Sequence, residues 1–174
     1  MNTRIVLSNS QIIMAATAGV LRQLQYIDRH KKNNEDGSTA SWMPYEQGWT
    51  TMIEGALSEY ALSKYLNLHW EGTGVRGEGD VGIEEARVTS INHGSLVIRK
   101  WDKPNRRYWL LTGSNGIYIV RGFFDYQDNL PDKFLDDKGN GKPPAWFIPQ
   151  SFLVEPSKYQ EYVSAEKIVE SSNG

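Results

Sequence analysis

The chain has 174 residues, 39% of them hydrophobic, including six Trp, nine Tyr and five Phe. That supplies a real core for one domain and excludes a disordered or fibrous chain. A formal charge of −2 argues against a uniformly basic nucleic-acid coat while leaving room for a local basic patch, and the lack of cysteine excludes disulfides and thiolate metal sites.

The longest apolar run, Ile12 to Leu21, is about ten residues, half of the roughly twenty that cross a bilayer. The polar break at Ser8-Asn9-Ser10-Gln11 interrupts any signal-like hydrophobic region. A soluble cytoplasmic domain without a membrane partner is therefore expected. Residues 4–7 form a short apolar lead-in, after which Ser8 or Ser10 offers an N-cap for a helix over about 9–30. Ile12, Ile13, Ala16, Val20, Leu24 and Ile27 recur at helical spacing, with Arg22 and Gln23 facing away. Residues 31–41 are polar and turn-rich and read as an exposed loop.

The aromatic stretch Trp42 to Trp49 leads into a second helix, about 47–67. At 100° per residue, Glu59 shares a face with Met52, Gly55, Ala56, Leu62, Ser63 and Leu66, and Glu54 and Lys64 lie roughly opposite. A carboxylate among apolar and small side chains requires a partner. Next, Gly72-Thr73-Gly74-Val75-Arg76-Gly77 has the Gly-x-Gly-x-x-Gly spacing of dinucleotide sites. It follows a helix and precedes a strand, the reverse of the context such a site needs, and reads as a loop.

From residue 78 the period changes to two, with strands expected at 78–82, 84–91, 95–101, 107–112 and 116–123. Turns at Val81-Gly82, Asn92-His93-Gly94, Asp102 to Asn105 and Gly113 to Gly116 favour consecutive antiparallel pairing. An Asp-rich loop (125–142), Pro143-Pro144 with Ala145 to Pro149, a helix around 156–169 and a polar tail complete the chain. A single domain over 1–174 is expected, with its core at about 6–153 and the terminal helix and tail in 154–174.

Asp80, Glu85 and Arg87 carry the most chemistry. Glu85 and Arg87 are two apart in a strand and share a face, and a tight turn at Val81 to Glu84 sets Asp80 across from Glu85. Two carboxylates that close raise each other's pKa unless a cation lies between them, and oxygen donors of this kind suit Mg²⁺ or Mn²⁺. The alternative is a solvated acidic hairpin tip, with Glu84 rather than Glu85 facing the core.

The order of a helix-borne Glu, an Asp and then Glu-x-(basic) on a hairpin resembles the PD-(D/E)XK, or restriction-endonuclease-like, superfamily. More narrowly, the chain is similar to uncharacterised phage and prophage proteins placed there. The resemblance begins with Leu7-Ser8 and Gly19 to Arg22 in the first helix, runs through Gly55 to Ala61 with Lys64-Tyr65-Leu66, Asp80-Val81, Ala86 to Thr89, Gly94 to Ile98, Trp109 to Gly113, Tyr118 to Phe123 and Ala145 to Pro149, and covers about residues 6–153. It implies an α/β fold in which two N-terminal helices pack on a central mixed, largely antiparallel sheet. It also implies that Glu59, Asp80 and Glu85, with the carbonyl of Ala86, hold Mg²⁺ or Mn²⁺, and that the metal lowers the pKa of an attacking water.

Arg87 stands where the superfamily has Lys. Arginine stays protonated and cannot act as a general base, but it can clamp a phosphate. Its alternative role is a structural ion pair with Glu59 or Asp80, while Lys100 or Arg99 on the next strand offers a substitute cation.

Basic and aromatic side chains interleave in Arg99-Lys100-Trp101-Asp102-Lys103-Pro104-Asn105-Arg106-Arg107. Such a stretch contacts phosphates and stacks on unpaired bases, or else forms a charged hairpin edge that resists aggregation. Asp136 to Gly141 only faintly resembles a calcium loop, and His30, His69 and His93 have no partner at ligand spacing. The leading expectation is thus a metal-dependent nuclease acting in the cytoplasm, of the host cell if the chain is of phage origin. The alternatives are a catalytically inactive nuclease-fold protein that binds nucleic acid or a host protein, and an assembly protein using its aromatic segments. The sequence does not assign an oligomeric state.

Overall fold

The computed structural model describes residues 3–35, 45–72, 81–127, 130–137 and 143–164. Strand β1 (Thr3–Val6) leads into helix α1 (Asn9–Glu35), which continues five residues past its expected end at 30. Ser8 is its N-cap, and the cap is reciprocal. The Gln11 amide donates to Ser8 Oγ at 3.4 Å and the Ser8 amide donates to Gln11 Oε1 at 2.8 Å, so the Ser-x-x-Gln spacing acts as a capping box. Helix α2 (Tyr45–Leu66) ends where Asn67 takes a left-handed φ of 54°. The Leu68 amide then closes on the Ser63 carbonyl at 3.0 Å, as a Schellman ending does.

Strands β2 (Glu84–Thr89), β3 (Leu96–Arg99), β4 (Arg106–Ser114), β5 (Ile117–Tyr126), β6 (Leu135–Asp136) and β7 (Ala145–Ile148) follow. They form a four-stranded sheet in the order β1-β5-β4-β2 and a three-stranded sheet in the order β3-β7-β6. The expected mixed sheet is present, and of the expected consecutive antiparallel pairings β4 with β5 forms, whereas β2 with β3 and β3 with β4 do not. β2 pairs with β4 in parallel, and β3 pairs with β7 instead of either sequence neighbour. The turns do reverse the chain after β2 and again after β3. Two reversals leave β4 running the same way as β2, and β3 is displaced onto the sheet's face because Leu96 and Ile98 bury there.

That displacement covers the central sheet on both sides. On one face Leu57, Ala61, Leu62 and Leu66 of α2 pack against Trp109, Leu111, Tyr118, Val120 and Phe123. On the other, Tyr108 and Leu110 pack against Leu96, Ile98 and Ile148 of the second sheet. The continuous run Tyr108-Trp109-Leu110-Leu111 is therefore buried throughout, as a strand with two covered faces requires. A bulge at Arg121, where Leu110 pairs with Gly122 and Leu111 with Val120, keeps Tyr118, Val120 and Phe123 on the α2 face despite their uneven spacing.

The β4–β5 hairpin turns through Asn115 and Gly116, with φ of 55° and 82°. This is the Asn-Gly pair that a tight two-residue turn favours. Glu54 of α2 accepts from the Asn115 amide at 2.9 Å and the Tyr118 hydroxyl at 2.7 Å, fixing the hairpin to the helix. Near the C-terminus, residues 159–164 are helical, in keeping with the expected helix from about 156; its continuation from 165 lies outside the described residues. So do 36–44, most of the Gly72 to Gly77 loop, 78–80 of the expected strand 78–82, and 138–142 of the expected Asp-rich loop. No helix among the described residues is long and apolar enough to cross a membrane.

Candidate nucleic-acid interface

Glu59 does need a partner, and the partner is Arg22. The Arg22 guanidinium donates through Nη1 to Oε1 at 2.9 Å and through Nη2 to Oε2 at 2.7 Å, and Trp70 Nε1 adds a longer bond of 3.4 Å. The fork geometry of arginine suits this bidentate grip. The reading of Arg22 and Gln23 as facing away is overturned, since Arg22 is largely buried and Gln23 is fully so. Gly19 allows it. A Cβ there would meet the Ile53 backbone at 2.6 Å, so only glycine lets α1 lie this close to α2.

On β2 the alternation decides which acid goes where. Glu84, Ala86 and Val88 face α2, whereas Glu85 and Arg87 face the second sheet. Glu84 is 2% exposed and fully engaged. Its Oε1 accepts from Arg107 Nε at 2.8 Å, Arg107 Nη2 at 2.7 Å and the Tyr159 hydroxyl at 2.9 Å, while Oε2 accepts from Trp109 Nε1 at 2.6 Å. Burial first, then the Glu84 charge, pushes the Tyr159 hydroxyl up to about 12. Glu84 is thus the core-facing acid, as one sequence reading allowed.

Glu59 and Glu85 consequently lie on opposite sides of the central sheet, Glu59 between the helices and Glu85 beside Arg87. They cannot share one cation. Asp80 lies outside the described residues, and no group of three His, Cys, Asp or Glu among the described residues is placed to hold a metal. The Ala86 carbonyl, the expected fourth ligand, accepts from Arg87 Nη1 at 3.1 Å. Among the described residues, Glu59, Glu85 and the Ala86 carbonyl therefore do not converge as one donor set for Mg²⁺ or Mn²⁺.

Arg87 is not paired with Glu59, and Asp80, its other expected partner, lies outside the described residues. Its Nη2 lies 3.1 Å from Asp102 Oδ1, its Nη1 lies 3.7 Å from Glu85, and its guanidinium sits 4.9 Å from the Tyr108 ring centre. Asp102 also accepts from the Arg99 amide at 2.8 Å through its other oxygen, closing the turn after β3. Sequence reasoning missed Asp102 as an organiser of this surface. Its signal was an Asp at the head of the Asp-Lys-Pro-Asn turn, the residue type that bonds its own backbone.

With Asp102 turned inward, the basic segment divides. Lys100 and Lys103 are exposed, Trp101 is 57% exposed, and the Arg99 guanidinium stacks over its ring at 5.5 Å. Arg106 lies at the edge, donating from Nη1 to the Gly82 carbonyl at 2.8 Å. Arg107 does not belong to this surface. It is buried against Glu84, and its expected role in nucleic-acid contact is withdrawn because strand alternation points it to the α2 face.

No family model, curated protein or solved structure matches the chain. Arg99 stacks on one projecting indole whose turn also carries the exposed Lys100 and Lys103, an arrangement that pairs phosphate attraction with a stacking platform.

Proposed function

We propose that the protein is a nucleic-acid-binding protein of restriction-endonuclease-like descent that acts without a metal held by Glu59 and Glu85. The observation that carries this reading is Trp101, an exposed indole stacked by Arg99 on a turn that also carries the exposed Lys100 and Lys103, while the one acid of that turn is drawn inward. An exposed Trp on a basic turn fits an unpaired base better than a duplex groove, because every base offers a stacking face and only single strands expose it. The separation of Glu59 from Glu85, and Arg87 in place of Lys, favour binding over hydrolysis.

The test is fluorescence anisotropy with labelled single- and double-stranded DNA and RNA, in Mg²⁺, Mn²⁺ or chelator, with the products run on a denaturing gel. The expected result is metal-independent binding that prefers single strands, weakened about tenfold by Trp101→Ala. Metal-dependent cleavage that disappears in Asp80→Ala would overturn the reading in favour of a nuclease. Absence of binding to all four polymers would remove it altogether.

A further inference from the structure

Where β2, the edge strand of the central sheet, runs past the displaced β3, a cavity of about 370 Å³ opens. Arg87, Thr89, Ser95 and Arg99 supply its polar wall, and Val97 and Phe147 are among its apolar residues. No Asp or Glu lines it among the described residues. We propose that this cavity binds a single nucleotide bearing a phosphate, the terminal unit of a strand held on the Trp101 turn. The proposal deepens the nucleic-acid reading by naming the unit bound. It stands on different geometry, the gap between two sheets.

Size, charge and polarity each point the same way. At about 30 Å³ per water the space is roughly a dozen waters, too large for a lone phosphate ion and within the range of small-ligand sites. Asp102 pairs with Arg87 and anchors the Arg99 amide without lining the cavity, and Glu85 lies 3.7 Å from Arg87 and 3.9 Å from Arg106. Arg87 and Arg99 line the cavity and no Asp or Glu among the described residues does, so the wall that an entering phosphate meets is basic. Asp102 also limits where the Arg87 guanidinium points, and donors fixed before binding lose less freedom when a ligand arrives. Thr89 Oγ1 accepts from the Ile91 amide at 3.2 Å, leaving its hydroxyl hydrogen to donate. The apolar remainder gives a base a surface away from water that inorganic phosphate has no use for.

The route from the cavity to the Trp101 turn is short in covalent terms. Arg99 belongs to both, lining the cavity and stacking on the indole. A strand lying across Trp101 thus reaches the pocket by its end, whereas an internal nucleotide would need its backbone bent inward on both sides. The occupant expected is therefore a terminal phosphorylated nucleotide.

The experiment is titration calorimetry of the whole protein with a nucleoside monophosphate, the matching nucleoside, inorganic phosphate, and oligonucleotides with and without a 5′- or 3′-phosphate. Two variants accompany it, Arg87→Lys and Ser95→Tyr, the second filling the cavity from a loop position, with folding checked by circular dichroism. The expected result is saturable binding of the monophosphate at least tenfold tighter than of nucleoside or phosphate. One end-phosphorylated oligonucleotide should likewise exceed its unphosphorylated counterpart, and folded Ser95→Tyr should lose both preferences. No saturable monophosphate binding, equal binding of inorganic phosphate, or unchanged binding by folded Ser95→Tyr would each overturn the pocket. Oligonucleotide binding indifferent to its ends would overturn the pocket and leave the Trp101 surface standing. Monophosphate binding without polymer binding would overturn that surface and leave the pocket standing.

Discussion

Two carboxylates on neighbouring elements show how one residue type takes different roles. Glu59 sits in a nearly buried fork with Arg22, and removing either partner strands the other's charge. Arg22→Ala and Glu59→Ala should each cost about 3 kcal/mol in urea unfolding, and the double variant little more than either alone. Nucleic-acid affinity should not change in any of the three. Glu84 is more deeply buried and accepts from three side chains, so Glu84→Ala should cost about 3–5 kcal/mol by the same assay. Tyr159 adds a pH dependence of definite sign. Its hydroxyl, raised to about 12 when folded against an ordinary value of 10, must stay protonated beside Glu84. The stability it confers is full below pH 10 and is lost as pH rises through about 12. Burial raises the hydroxyls of Tyr108 and Tyr118 as well, and adds to the same fall. Urea midpoints measured from pH 9 to 12 should therefore decline, and Tyr159→Phe should flatten part of the decline while lowering stability at neutral pH. That Glu59 required a partner was legible from its helical neighbours. That the partner came from α1 was not, because side-chain reach between two helices depends on how closely they approach, and Gly19 sets that distance through a backbone contact a wheel diagram does not contain.

Among the elements, β2 to β5 were legible because their turns are chemically marked and their residues suit strands, whereas β6 lies inside the expected 125–142 loop and β7 was not expected as a strand. Asn115-Gly116 is the clearest case, and a test follows from it. Gly116 has a φ of 82°, and a Cβ there would approach the Ile12 side chain at 2.7 Å. Gly116→Ala should destabilise by about 1–3 kcal/mol in thermal or urea unfolding, combining left-handed strain with displacement of Ile12. The pairing partners were not legible. A turn reports that the chain reverses, but whether the next strand joins the same sheet depends on which face of it is apolar and what lies above. Leu96 and Ile98 gave β3 an apolar face that the sheet's open side could bury, and β7 supplied the edge it pairs with. That choice moved Arg87 next to Asp102 and away from the helices. It also divided the basic segment, so neighbours in sequence now have opposite roles. Arg107→Ala should unfold the protein more readily, whereas Lys100→Ala with Lys103→Ala should leave stability within about 0.5 kcal/mol and weaken polymer binding. Denaturant midpoints and anisotropy on the same preparations separate the two.

At the scale of the whole molecule, the chain carries a small net negative charge, so any attraction for nucleic acid is local to the turn that holds Trp101. With about three phosphates neutralised there, log affinity for a single strand should fall with log salt at a slope of about −2, to be read from anisotropy between 50 and 300 mM salt at about constant pH. A much steeper slope would mean a wider contact surface than that turn. The order in which the chain is made matters too. β1 closes the edge of the central sheet by pairing with β5, Thr3 opposite Val120. At about 5–20 residues per second, translation delivers that partner on the order of ten seconds after β1 itself. The two helices emerge in between, and the face of α2 that carries Leu57, Ala61 and Leu62 has no sheet to cover it until β4 and β5 arrive. A nascent chain halted before the Asn115-Gly116 turn is thus a helical hairpin with its apolar side bare and its first strand unpaired, a form suited to capture by a chaperone at the ribosome.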